Sequence, residues 1–265
     1  MLRFRRAISS ALFQSLTNQR EIQMTATISV QLYSVRNQLA NNPEATLEQL
    51  AEIGFRSVEP FGLPEVGSLP RLLEQFSLSS PSAHGNLLGS TAETISTAKA
   101  MGIELLIEPY QPASRFESEA AVRLLAQELT DAADAAAAAG ITAGYHNHDH
   151  ELTALIDGRP ALFVLADLTP RELTFEVDLY WCQAAGVNAA EVVAALGSRV
   201  VALHAKDGLV GGKVTEQLPA GQGTVPISAS RAAAPSALVV AEFDEYEGDI
   251  FEGLRQSFKH LSKGV

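Results

Sequence analysis

Six consecutive positions, His146 to Glu151 in the stretch GYHNHDHEL, hold three histidines and two acids, in a chain with six histidines in all. Imidazole beside carboxylate serves a metal site, a solvated polar loop or a buried hydrogen-bond network. Three further segments carry the same groups: Asp178 in TFEVDLYW, His204 in VALHAKD and Glu242 in LVVAEFDEY. One histidine of the first stretch with Asp178, His204 and Glu242 makes a mixed nitrogen and oxygen donor set. Such a set suits Mn, Zn, Co or Fe better than Ca, which prefers oxygen alone. Asp178 and Glu242 each close an apolar run, where an unpaired carboxylate is costly unless a cation or a substrate offsets it. Lys206, two residues after His204, is expected to face inward with it, to stabilise an enolate or carboxylate or to form a plain salt bridge. His150 and Glu151 are expected in a solvated loop. The GQG at Gly221–Gly223 lacks the lysine and following helix of a phosphate loop and is expected to be a bend.

These residues need a scaffold that gathers distant segments. From Thr27 onward, short β-branched or apolar runs alternate with longer Ala/Leu/Glu-rich ones. Strands are expected at Ile28–Leu32, Ser57–Pro60, Ser80–His84, Glu104–Glu108, Thr142–His148, Leu173–Asp178, Val200–His204 and Leu238–Glu242. Helices are expected at Pro43–Ile53, Leu69–Gln75, Thr91–Met101, Ser118–Ala139, Ala189–Leu196 and Gly248–Leu261, with a short or irregular one in VPISASRAAAPSA. In the helix from Ser118, Val122, Leu125, Leu129 and Ala132 keep to one face, and Gly140 supplies the residue past its end. Repeated helix–Gly–strand units signal parallel βα architecture. Eight strands over this length fit a (β/α)8 TIM barrel of about 250 residues. A doubly wound sheet is the alternative, disfavoured because the turn after the first strand, QLYSVRNQLANN, has no glycine.

Barrel chemistry gathers at the C-terminal ends of the strands. Five of the six histidines fall there (His84, His146, His148, His150 and His204), as do Glu59, Glu108, Asp178 and Glu242. Strand alternation points His146 and His148 the same way, so one binds a metal and the other holds substrate or orients a ligand.

The 265 residues carry a formal charge of −12 and are 46% hydrophobic, enough for a sizeable core. The acidic balance argues against nucleic acid or an anionic membrane as partner, and no run reaches the ~20 apolar residues of a membrane helix. A single cysteine, Cys182, rules out an intramolecular disulfide and fits a reducing cytoplasm. Residues 1–25 are expected to be a disordered N-terminal extension or the product of an over-long gene start, with a transit or export peptide as the alternative. Residues 26–265 are expected to form the barrel.

In order and position these segments resemble the xylose-isomerase-like barrel superfamily, in its sugar phosphate isomerase/epimerase branch. The resemblance runs from Ile28 to Leu261. It rests on VQLYSVR, SVEPFG and SAHG in strands one to three, on YHNHDHE, FEVDLYW, LHAKDG and VAEFDEYEG in strands five to eight, and on PAGQG between the last two. It implies one divalent ion (Mn, Zn, Co, Mg or Fe) bound by His146, Asp178, His204 and Glu242. Such an ion polarises a ketone and its neighbouring hydroxyl while a base moves the proton on the adjacent carbon. Glu242 would then be ligand and proton carrier, and His148 or Lys206 the second acid–base or electrophilic group. Gln31, Glu59, His84 and Trp181 would hold substrate, with a plug of the barrel rim as the other reading of Trp181.

Ketose 3-epimerases of the superfamily carry glutamate where this chain has His146, which weighs against exchange between two symmetric carboxylates. A histidine-rich strand five occurs in inosose dehydratase-like members, so a keto-sugar or inosose lyase is the alternative. Endonuclease IV-type repair enzymes have a histidine three positions after the strand-six aspartate, where this chain has Trp181, and an Asp-x-His pair that is absent here. A barrel that binds sugar without turnover needs fewer ionisable groups than Glu59, His84, His148 and Lys206 add to the four ligands. The expectation is therefore a cytoplasmic, metal-dependent isomerase or epimerase of a small carbohydrate. The substrate is expected to be unphosphorylated, since no basic cluster accompanies these residues, and homo-oligomerisation is left open.

Overall fold

Eight short strands rich in β-branched and small residues form one parallel sheet: β1 (Ile28–Gln31), β2 (Ser57–Glu59), β3 (Ser82–His84), β4 (Leu105–Glu108), β5 (Thr142–His146), β6 (Thr174–Asp178), β7 (Val200–His204) and β8 (Leu238–Ala241). The computed structural model describes residues 28–209, 211 and 214–263, and the expected extension over residues 1–25 lies outside them. Pairing links β2 to β1, β1 to β8, and then runs through β7, β6, β5 and β4 to β3. Backbone bonds from Val58 N to Ser79 O (2.9 Å) and from His84 N to Pro60 O (2.8 Å) bring β2 and β3 together, so the sheet curls into a nearly closed barrel. The doubly wound alternative is thereby excluded.

The principal helices between strands are α1 (Pro43–Ile53), α2 (Leu69–Gln75), α3 (Thr91–Ala100), α4 (Glu119–Ala138), α5 (Ala161–Leu168), α6 (Ala189–Leu196), α7 (Ile227–Ala233) and α8 (Ile250–Leu261). In α4 the stripe Val122, Leu125, Leu129 and Ala132 is buried as its spacing requires. Ser118 caps its first turn through the N–H of Ala121, and Gly140 leaves it at φ 81°, a conformation that disfavours side chains with a Cβ. Helix α7 is two turns long, as its alanine- and proline-rich sequence implies. Helix α5 was not expected: its sequence ALFVLADL is apolar almost throughout, so it shows no helical period. No described helix is long and apolar enough to cross a membrane.

Register sorts the strand residues into two faces. Gln31 pairs with Glu59, His84 with Ile107, His146 with Glu176 and Asp178 with His204 on the barrel interior. Val30 with Val58, Ala83 with Leu106, and Tyr145 with Phe175 face the helices and join the apolar core. Glu108 pairs with Tyr145 and so belongs to the outer face. It closes β4 at the rim as expected, but on the outer face, where it accepts the N–H groups of Leu87 and Leu88 and ties down the loop after β3. A register shift between Phe175 and Glu176, where β6 meets β7, sets the alignment of Asp178 with His204.

Candidate metal centre and active site

His146, Asp178 and His204 are the last residues of β5, β6 and β7, and Glu242 follows β8 directly. Asp178 divides its carboxylate between two tasks. Its Oδ1 accepts the N–H of Trp181 at 3.0 Å and caps the short helix Leu179–Ala184. Its Oδ2 turns to the barrel axis, 3.5 Å from His146 Nε2. Across the axis, His204 Nδ1 lies 2.5 Å from Glu242 Oε2. One donor atom each from Asp178, His204 and Glu242 fall within 4.8 Å of one another. Asp178 Oδ2, His204 Nδ1 and Glu242 Oε2 are all buried, and their close contacts are ion pairs without hydrogen-bond alignment. Converging carboxylate oxygens and an imidazole nitrogen fit a divalent ion in their chemistry.

The charge of these carboxylates is partly met by Lys206. Its ammonium is 2.8 Å from Asp178 Oδ2, 2.9 Å from Glu242 Oε2 and 2.9 Å from Asp244 Oδ1. Asp244 is itself fixed by Gln217, which donates to Oδ2 and accepts from its backbone N–H, each at 2.8 Å. Burial opposes a charged Lys206, but Asp178, Asp244 and Glu242 outweigh it and hold the ammonium protonated well above its ordinary range. Burial likewise opposes ionised Glu242, and Lys206 and His204 overcome it and keep the carboxyl well below its usual range. Asp178 is pushed up to about 6, burial outweighing Lys206.

Beneath this set lies a second layer. Glu176 Oε2 is 2.6 Å from His84 Nε2, 2.9 Å from His146 Nδ1 and 3.0 Å from His204 Nε2. Glu59 Oε1 is 2.7 Å from His204 Nε2 and accepts from Gln31 Nε2 at 2.9 Å, while Ser82 donates to Oε2. Gln31 and Glu59 have no exposed surface. The two side chains, expected to hold substrate, stand behind the imidazoles, with Glu59 Oε1 also 3.3 Å from His84 Nε2. Burial and neighbouring His204 push His146 down to about 3, so its ring is neutral.

His148 does not continue β5. The strand ends at His146, and Asn147 turns away to accept the N–H of Asp178 at 3.0 Å. Expected alternation therefore fails at this point, yet the His148 ring still packs 5.2 Å from that of His146. It also faces Tyr110 at 5.2 Å and Trp181 at 5.7 Å, so these aromatic groups share one wall of the mouth. His148 Nδ1 and Trp181 Nε1 are buried without partners. Burial, then the neighbouring His146 and the Lys206 ammonium, lower His148 to about 2, which leaves it neutral. Glu151 corrects the solvated-loop expectation: it is fully buried, accepting from Tyr145 Oη at 2.8 Å and from His148 N at 2.9 Å. His150 opens a short helix, His150–Thr153, with Nε2 2.8 Å from Gln111 O.

The GQG segment is a bend with a purpose. Gly221 N and Gly223 N donate to Asp207 Oδ2 at 2.8 and 3.0 Å, and Val225 N to Oδ1 at 3.1 Å. A Cβ on Gly223 would stand 2.2 Å from Asp207 Oδ1. These amides cradle the protein's own carboxylate, so they offer no seat to a phosphate.

Cys182 lies outside this chemistry. It is buried, and burial with the nearby charge of Asp178 raises its thiol far above the ordinary range. Native protein is expected to react with an aromatic disulfide reagent at least about a hundredfold more slowly than denatured protein, because only the thiolate attacks. Rapid labelling of the native thiol would contradict this packing.

Sequence reading placed His146, Asp178, His204, Glu242, Lys206, His84 and His148 around one barrel mouth, and the structure brings them together. It missed Glu176 and Asp244. Glu176 had a signal, since it precedes Asp178 by two in one strand and shares its face. Asp244 had none, because it lies past the end of β8 in a loop without period.

Several solved structures share this architecture. A sugar phosphate isomerase/epimerase from Parabacteroides distasonis superposes with a TM-score of 0.76 at 20% identity, covering 90% of this chain and 98% of the other. A probable 3-DHS dehydratase from Bacillus anthracis gives 0.70 at 13%, over 89% and 98%. A xylose isomerase-like TIM barrel protein from Mycobacterium smegmatis, in complex with magnesium, gives 0.69 at 13%, over 91% and 97%. At these identities the likeness is one of fold. No curated protein matches the chain in sequence. The sequence profile of one family does, over residues 35–234, well over half the length and every strand from β2 to β7. The chain therefore belongs to the family of xylose isomerase-like TIM barrels.

Proposed function

We propose that this protein is a divalent-metal-dependent isomerase or epimerase that moves a proton next to the carbonyl of a small keto-sugar or polyol. The observation that carries the proposal is the convergence of the buried donor atoms of Asp178, His204 and Glu242, within 4.8 Å of one another at the barrel mouth. With His146 Nε2 beside them, these residues would hold the ion. When bound, a divalent ion supplies Lewis acidity that makes a proton next to a carbonyl easier to remove. The magnesium complex of the mycobacterial barrel and the isomerase/epimerase neighbour from Parabacteroides support the reading.

The chain's own groups divide the remaining work. Glu242, kept ionised by Lys206 and His204, accepts the proton from the substrate carbon. Lys206 presents its ammonium to the oxygen on which negative charge develops. His148 is neutral, so its unpartnered Nδ1 and ring hold and relay the proton of a substrate hydroxyl. Trp181 and Tyr110 offer apolar faces to the sugar ring. The GQG amides are occupied by Asp207, which favours an unphosphorylated substrate.

A second reading, a dehydratase-type lyase, draws on one feature: an imidazole rather than a carboxylate faces the site from β5, so the acid–base pair is asymmetric. A panel of keto-sugars and inososes followed by proton NMR in D₂O with Mg²⁺ or Zn²⁺ tests both. Deuterium is expected at one carbon without loss of water, absent after chelation and restored on refilling. An unsaturated product would move the assignment to the lyase. If the stripped and refilled protein holds no stoichiometric ion, the metal-dependent reading fails.

A further inference from the structure

We propose that Glu176 is a positioning residue that, together with Glu59, sets the tautomers of two metal-facing histidines, so that His146 presents Nε2 and His204 presents Nδ1 to a single divalent ion. The inference rests on the metal-dependent reading above and adds the atoms that carry it.

Glu176 stands two residues before Asp178 on β6, on the same interior face and one layer deeper. Its Oε2 is met by three imidazole nitrogens: His84 Nε2 at 2.6 Å, His146 Nδ1 at 2.9 Å and His204 Nε2 at 3.0 Å. An ionised carboxylate can only accept, so each of those nitrogens carries a proton. An imidazole that binds a cation is neutral, with one N–H and one lone pair. For His146 the lone pair is then on Nε2, which lies 3.5 Å from Asp178 Oδ2. For His204 it is on Nδ1, which lies 2.5 Å from Glu242 Oε2. The two rings sit on different strands, so the carboxylates below them select opposite nitrogens above. For His204 the aligned hydrogen bond is to Glu59, 2.7 Å from Nε2 and itself anchored by Gln31 and Ser82, with Glu176 beside it at 3.0 Å.

His84, His146, Glu176 and His204 also lie close enough together to suggest an ion of their own. Two of its contacts, from His84 Nε2 and His146 Nδ1 to Glu176 Oε2, have the geometry of hydrogen bonds, which assigns this carboxylate to the imidazoles rather than to a cation.

The test uses zinc and the full-length protein with ¹⁵N-labelled histidine. Competition with a chromophoric chelator is expected to give one zinc per chain. Long-range ¹H–¹⁵N spectra of the zinc-loaded wild type are expected to show zinc-bound His146 Nε2 and His204 Nδ1, with protons on His146 Nδ1 and His204 Nε2. E176Q is expected to weaken zinc binding about 10–100-fold, the usual effect of losing a group that orients a ligand, with the His146 tautomers mixed in its metal-free spectrum. Should E176Q fail to fold, the wild-type spectra still decide. The assignment is overturned by exchanged nitrogens, by two zinc ions per chain, or by folded E176Q with wild-type affinity and tautomers. A wild type that binds no zinc overturns it together with the metal-dependent reading.

Discussion

Replacing His204 with alanine is expected to strip the protein of its divalent ion and abolish turnover. The side chain is fully buried and joins both layers of the site, with Nε2 2.7 Å from Glu59 and 3.0 Å from Glu176, and Nδ1 2.5 Å from Glu242. Metal content should fall from one ion per chain to a small fraction. kcat/KM should fall by more than about a hundredfold, beyond the range for a group that merely orients a ligand. The same change leaves buried carboxylates short of a partner, a loss of about 3–5 kcal/mol. At about 2–4 °C per kcal/mol for a domain this large, the metal-free variant should melt roughly 6–20 °C lower. His204→Gln keeps volume and polarity and separates the two effects: it should fold better and still bind no ion. His204→Ala that folds and retains stoichiometric metal would refute the proposed ligand set.

Lys206→Met has a less obvious expected sign. The ammonium touches Asp178, Glu242 and Asp244 from a site that is 2% exposed. Its removal leaves three carboxylates facing one another, which should cost the metal-free protein about 3–5 kcal/mol. Yet a cation at this distance also opposes the entry of another. Unit charges 4 Å apart interact by about 4 kcal/mol at an effective dielectric of 20, so the variant should bind zinc at least ~10-fold more tightly than the wild type. Zinc should therefore raise the melting temperature of the variant more than that of the wild type. Turnover should still fall, by about 10²–10⁴-fold if Lys206 supplies the electrophile or proton donor. Tight zinc binding with lost turnover would isolate the work of the ammonium from that of the metal. Weaker zinc binding by the variant would show that Lys206 organises the ligands rather than competing with the ion.

The architecture was legible because it is written in local patterns. Short apolar runs alternating with amphipathic ones, and glycines such as Gly140 closing helices, specify βα units before any contact forms. The missed helix α5 shows the limit of that reading: without a polar face its sequence ALFVLADL has no period to detect. His148 shows another limit. A strand looks the same to its last residue, and what ended β5 at His146 was the bond from Asp178 N–H to Asn147, a partner 31 positions away.

The site divides along the same line. Residue types and strand ends alone determined which groups could meet at the mouth: His146, Asp178, His204 and Glu242, with Lys206 beside them. Only the closed barrel decided how each would be used. It set Glu176 beneath three imidazoles, sank Gln31 and Glu59 out of reach of solvent, turned Glu108 to the outer face, and filled the GQG amides with Asp207. The physical reason is that a side chain's type and its parity along a strand are local properties, whereas register between strands, burial and the choice of hydrogen-bond partner depend on segments far apart in the chain, as His204 and Glu59 are, at 145 residues.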